Sequence, residues 1–214
     1  MQLVKRFYAG CMHVIAEFGP LQRLTEDARA SEPYGWRRWG ASLLAIHDVE
    51  RMIALGLPWW NVSATREVEK HLASRRSPRV FEYGAGASTA WLARRAGTVV
   101  SVEHHPDWHE RISPMVRGFA NASLWQRDLA GENYVGAIDE AGGKFDLIVI
   151  DGRRRIDCLE RAIPHLAAGG IILFDDSGRR RYRSGIKGCG LKERRFFGRS
   201  YCVPYPDFSS ILHG

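Results

Sequence analysis

The turn Glu82-Tyr83-Gly84-Ala85-Gly86-Ala87-Ser88-Thr89 is the segment of this sequence best suited to holding a ligand. Glycines let the backbone approach a bound molecule without a Cβ in the way, and a helix starting there offers free N–H groups. Two acids extend the pattern. Glu103 lies 21 residues after Glu82, where a carboxylate at a strand end accepts hydrogen bonds from both hydroxyls of a ribose. Asp128 follows the next apolar stretch, in position to meet an adenine amino group. The chemistry is that of a nucleoside site. The plainer alternative makes Glu103 and Asp128 exposed loop acids.

The charge of the turn selects among nucleosides. A dinucleotide fingerprint has a third glycine where Thr89 stands, and Glu82 would repel a pyrophosphate. The same carboxylate attracts a cofactor bearing an amino group and a sulfonium, which favours S-adenosylmethionine over NAD. On this reading Glu82 meets the methionine amino group and Glu103 the ribose. Tyr83, Gly84, Ala85, Gly86, Ser88 and Thr89 line the cofactor, and Asp128 meets the adenine. His104 either packs on the adenine face or, like His105, is an exposed turn residue.

Three more carboxylates, Asp151, Asp175 and Asp176, end two later apolar runs. Ends of adjacent parallel strands converge on one crevice, so these acids form an oxygen-rich site suited to Mg²⁺ or Ca²⁺. The alternative has Asp151 touching cofactor or substrate directly, with Asp175 and Asp176 capping the next loop. Methyl transfer from a sulfonium is an in-line displacement that rests mainly on positioning. Asp151 is the candidate catalytic residue. Arg153, Arg179 and the pair Trp59-Trp60 are candidate substrate contacts, the tryptophans as an aromatic wall or as core anchors. His47 and His165 sit in helical patterns and read as structural.

The elements that must position these residues alternate. Strands are expected at residues 80–83, 98–103, 123–126, 145–150 and 171–174, with helices over 88–95, 107–117 and 157–166. Such alternation implies right-handed βαβ units and a parallel sheet covered on both faces. Residues 194–197 and 208–212 read as an antiparallel edge pair joined through Pro204-Tyr205-Pro206. Residues 1–78 form a helical cap segment, with helices over 36–55 and 63–74, and residues 79–214 form the cofactor-binding domain.

From Arg79 to Leu212 the sequence resembles the class I S-adenosylmethionine-dependent methyltransferases. The E-x-G-x-G turn, Glu103, the FDLIVIDG strand and the GGIILFDD strand match in order and spacing. The resemblance implies a Rossmann-like, doubly wound α/β fold with seven strands, the last antiparallel, and it looks most like bacterial small-molecule and O-methyltransferase-like members. Metal-dependent O-methyltransferases place Asp after strand four and Asp-Asn after strand five, whereas the last position here is Asp176.

Composition bounds the rest. The 214 residues carry a formal +7, yet residues 177–201 hold nine basic residues against one acid, a local +8 that leaves −1 for the remainder. That stretch suits a small anionic acceptor, since Arg forks match carboxylate and phosphate, or a solvated face. Nucleic acid is the weaker expectation, with an RNA methyltransferase as one rival and a non-catalytic binding protein retaining the fold as another. No apolar run approaches the roughly 18 residues a membrane span needs, and Lys5, Arg6, His13 and Glu17 make the N-terminus a poor secretory signal. Cys11, Cys158, Cys189 and Cys202 lack metal or disulfide spacing, so reduced thiols in the cytoplasm are expected. A homo-oligomer is left open.

Overall fold

The computed structural model describes residues 26–46 and 48–214. The N-terminal signal reading, Cys11 and His47 fall outside those residues. Seven strands form one sheet: β1 (Arg79–Tyr83), β2 (Thr98–Glu103), β3 (Ala122–Gln126), β4 (Phe145–Ile150), β5 (Leu166–Asp175), β6 (Lys192–Arg199) and β7 (Pro206–His213). Their order is β3-β2-β1-β4-β5-β7-β6. Only β7 runs against the others, paired antiparallel with both β5 and β6. The expected doubly wound sheet with an antiparallel last strand is present, and its strand order reverses between β1 and β4. Ligands of such sheets bind at the carboxyl ends of the strands flanking that reversal.

Alternation along the strands makes two cores. Phe81 and Tyr83 of β1 and Ile148 and Ile150 of β4 face one layer, which is completed by α7 (Arg155–Ala162) and α8 (Arg180–Gly188). Val80, Leu147 and Val149 face the other, which is covered by α3 (Val62–Ala73) and α4 (Ala87–Ala93). A third cluster joins α1 (Trp36–Ser42) and α2 (Val49–Leu55) to Ala85, Ala87, Tyr201 and Cys202 beside the glycine turn. Of two further helices, α5 (Pro106–Val116) packs on β3, and α6 (Ala137–Ala141) adds Ala137 and Ile138 to the first of these cores.

Three local expectations change. The helix expected over 36–55 is divided, because Asp48 caps a separate α2 by accepting the Arg51 N–H at 2.9 Å. β5 begins at Leu166 rather than Ile171. Phe145 faces Leu166 and Leu147 faces Ile171, so the residues between bulge out, with Gly169 at φ +66°. The basic run after β5 contains α8, whose buried residues Tyr182 and Ile186 lie four apart on one face. Among the described residues no helix is long and apolar enough to cross a membrane. Cys158, Cys189 and Cys202 are free thiols.

Candidate active site

A cavity of about 1090 Å³ opens over the carboxyl ends of the central strands. It is lined by Glu103 and His104 at the end of β2, Gly84 and Ala85 after β1, Asp151 after β4, and Asp175 and Arg179 at and beyond the end of β5. The β1–α4 and β4–α7 loops meet backbone to backbone. Gly84 has φ +93°, and a Cβ there would lie 2.7 Å from Gly152 Cα. Glycine is required at this crossing.

Glu82 does not line this cavity. In the β1–β2 register it lies beside Ser101, facing the apolar layer beneath the turn, and it is fully buried. Its carboxylate accepts from Ser88 Oγ at 2.5 Å, Thr89 Oγ1 at 2.6 Å and Ser101 Oγ at 2.6 Å. Burial pushes its pKa up to about 7; the three hydroxyls pull the other way and Asp151 adds to the rise. Thr89 Oγ1 also accepts the Gly86 N–H at 3.1 Å, so Ser88, Thr89 and Glu82 hold the turn from below. The Tyr83 side chain is likewise in the core, its hydroxyl donating to Val135 O at 2.6 Å.

Glu103 and His104 face the cavity. Glu103 Oε1 accepts the backbone N–H groups of His104 and His105, both at 2.8 Å, and stands 2.8 Å from His104 Nδ1. No described residue donates to its Oε2. Burial lowers the His104 pKa, which Glu103 partly offsets, so the ring is neutral at pH 7. Asp128 is apart from this end. It is exposed and accepts from Ala130 N and Asn133 Nδ2, both at 3.0 Å.

At the centre, Asp151 Oδ2 accepts from Trp60 Nε1 at 3.2 Å and Oδ1 from Arg155 at 2.9 Å. Burial raises the Asp151 pKa to about 6, against the pull of Arg155. Asp175 rises well above the usual carboxylate range through burial and the charges of Asp151 and Asp176, and its Oδ1 is taken by Ser209 Oγ at 2.6 Å. The tryptophan pair divides its tasks: Trp59 lines the cavity, whereas Trp60 is fully buried against Trp91 and reaches only Asp151.

The expected metal site does not fit the donors present. Among the described residues no three His, Cys, Asp or Glu side chains converge as a cation site. Arg155, which the sequence reading passed over, lies between the carboxylates instead, 7% exposed. Its spacing of four from Asp151 was the available signal. Trp108, Tyr205 and Asp207 are further lining residues that carried no motif. Of the basic residues singled out, Arg153 is on the exposed rim and Arg179 pairs with Asp176.

Residues 81–177 match a family model described as a methyltransferase domain. This part of the chain is a methyltransferase domain, and the sheet around it is that of the Rossmann-like methyltransferase fold. Solved structures with this fold share little sequence with this methyltransferase. A Klebsiella pneumoniae protein with a proposed O-methyltransferase assignment is 18% identical, covering 84% of this chain and 90% of its own, at TM-score 0.58. The precorrin 8w decarboxylase of Methanobacterium thermoautotrophicum is 16% identical, covering 74% and 93%, at 0.55. An rRNA methylase from Streptococcus thermophilus is 15% identical, covering 70% and 95%, at 0.52. No curated protein sequence matches this methyltransferase significantly. The methyltransferase domain supports S-adenosylmethionine as the cofactor, and the acceptor must be argued from the cavity.

Proposed function

We propose that this methyltransferase methylates a hydroxyl oxygen of a small anionic acceptor. The continuity of one cavity carries the reading: it runs from Glu103 and His104, past Gly84 and Ala85, to Asp151, and on to Arg179, Arg181, Tyr182 and Tyr205. When bound, S-adenosylmethionine supplies an electrophilic methyl group on a sulfonium. Glu103, buried and with Oε2 open, fits the two ribose hydroxyls. His104, neutral and half-buried, suits the adenine end in place of the exposed Asp128. Glu82 acts through the turn it braces.

Asp151 lies between the two ends. With a pKa near 6 it is ionised at neutral pH yet basic enough to accept the proton of an incoming hydroxyl. Arg179 and Arg181 at the far end supply charge for an anionic group, and Tyr182 and Tyr205 supply ring edges. A polyanion is less well served because three of the nine basic residues in the stretch are engaged away from the cavity. Arg183 forks onto Glu193 at 2.7 Å, Arg194 reaches Glu67 at 3.0 Å, and Arg199 lies 4.0 Å from the Trp36 ring centre.

The test is acceptor-dependent formation of S-adenosylhomocysteine with a panel of small hydroxylated carboxylates and phosphates, run beside RNA fragments. Turnover of panel members is expected, with Arg179→Ala and Arg181→Ala each raising KM by about tenfold, equivalent to about 1.4 kcal/mol of binding. Turnover of RNA alone would overturn the proposal.

A further inference from the structure

Three carboxylates at the ends of two adjacent strands repel one another and need a cation among them. The donors at this site have already found one. The Arg155 guanidinium, buried at the start of α7, donates from Nε to Gly152 O at 3.0 Å and from one terminal nitrogen to Asp175 O at 2.5 Å. The other terminal nitrogen donates to Asp151 O at 2.6 Å and Asp151 Oδ1 at 2.9 Å. The first also stands 3.3 Å from Asp176 Oδ2. One side chain thus ties the end of β4 to the end of β5 and neutralises charge on both.

Further donors engage one oxygen of each acid. Trp60 takes Asp151 Oδ2, Ser209 takes Asp175 Oδ1, and Arg179 shares Asp176 Oδ2 with Arg155. A divalent ion would have to displace a guanidinium that cannot lose its proton and is held by backbone carbonyls as well as carboxylates. Those carbonyls fix Arg155 in place whatever the state of the acids.

We propose that Arg155 is the built-in cation of this site, standing where a divalent metal would otherwise bind, so that the protein neither takes up nor needs one. This rests on the methyl-transfer reading only for the word "needs"; exclusion of the metal stands on the geometry alone. Arg155 is a positioning residue, acting through Asp151.

Mn²⁺ titration of the full chain, followed by electron paramagnetic resonance, tests the proposal. Wild type is expected to leave Mn²⁺ free. Arg155→Gln, near in size but neutral, should bind Mn²⁺ at least tenfold more tightly than wild type, and Arg155→Lys should restore exclusion. Should Arg155→Gln fail to fold, the wild-type titration decides by itself. Mn²⁺ bound by wild type and lost in Asp151→Asn overturns the proposal; Mn²⁺ left free supports it. Calorimetry with S-adenosylhomocysteine on the same samples reads the cofactor assignment separately. Mn²⁺ uptake with intact S-adenosylhomocysteine binding removes only the role of Arg155, and absent S-adenosylhomocysteine binding by wild type removes the methyl-transfer reading.

Discussion

The indole N–H of Trp60 reaches Asp151 Oδ2 at 3.2 Å, joining a fully buried core residue to the carboxylate at the centre of the cavity. A donor to the ionised form favours that form, so this hydrogen bond holds the Asp151 pKa below where burial alone would leave it. Trp60→Phe removes the donor and leaves the acid more easily protonated. If the ionised form takes the acceptor proton, kcat rises as pH passes through about 6 in the wild type, and that rise should move to higher pH in Trp60→Phe. A pH–rate profile checks it, and an unmoved limb would show that Asp151 does not set the rate.

Glu82 offers a pH-dependent effect on stability. Its folded pKa, about 7, lies above its unfolded value of 4.5. The folded state therefore binds the extra proton between those values, and this group's contribution is fully present below pH 4.5 and lost as pH rises through 7. The full span amounts to roughly 3 kcal/mol. Glu82→Gln should flatten this part of the dependence. Denaturant midpoints measured from pH 5 to 8 for both proteins supply the check.

The crossing of Gly84 and Gly152 allows a double-mutant test. A Cβ on Gly152 would fall 1.9 Å from the Tyr134 hydroxyl oxygen and 3.1 Å from Tyr134 Cζ. Gly152→Ala should cost about 1–3 kcal/mol through overpacking. Adding Tyr134→Phe removes the nearest atom but not the ring, so partial recovery of the melting temperature is expected. Strict additivity of the two substitutions would show that the clash is not the cause.

What could be read from the sequence divides along physical lines. FDLIVI was legible as a strand to the residue because both of its faces are buried and nearly every position is apolar. The Glu103 position followed from strand geometry, since a strand end at this depth of the sheet opens on the crevice. Glu82 and Asp128 carried the same signal as Glu103 but lie elsewhere. Glu82 shares a face of the sheet with Glu103 but pairs with Ser101, one step deeper, where Ser88, Thr89 and Ser101 take its carboxylate beneath the turn, and Asp128 folded back on its own loop. Arg155 was hidden because a basic residue in a run of three at a helix start reads as surface charge, and only its distance to two strand ends reveals its part. In α8 the charges likewise masked the spacing of Tyr182 and Ile186.

Glu103 tests the proposed cofactor site most directly, because its carboxylate is buried, lines the cavity and receives no donor on Oε2 among the described residues. The measurement is calorimetric titration of S-adenosylmethionine and S-adenosylhomocysteine into wild type and Glu103→Ala, with circular dichroism confirming an unchanged fold. Wild type should bind both, and Glu103→Ala should lose at least tenfold in affinity for each, consistent with two lost hydrogen bonds to a charged group. Equal affinity in the two proteins, or no binding by wild type, would contradict the site described here.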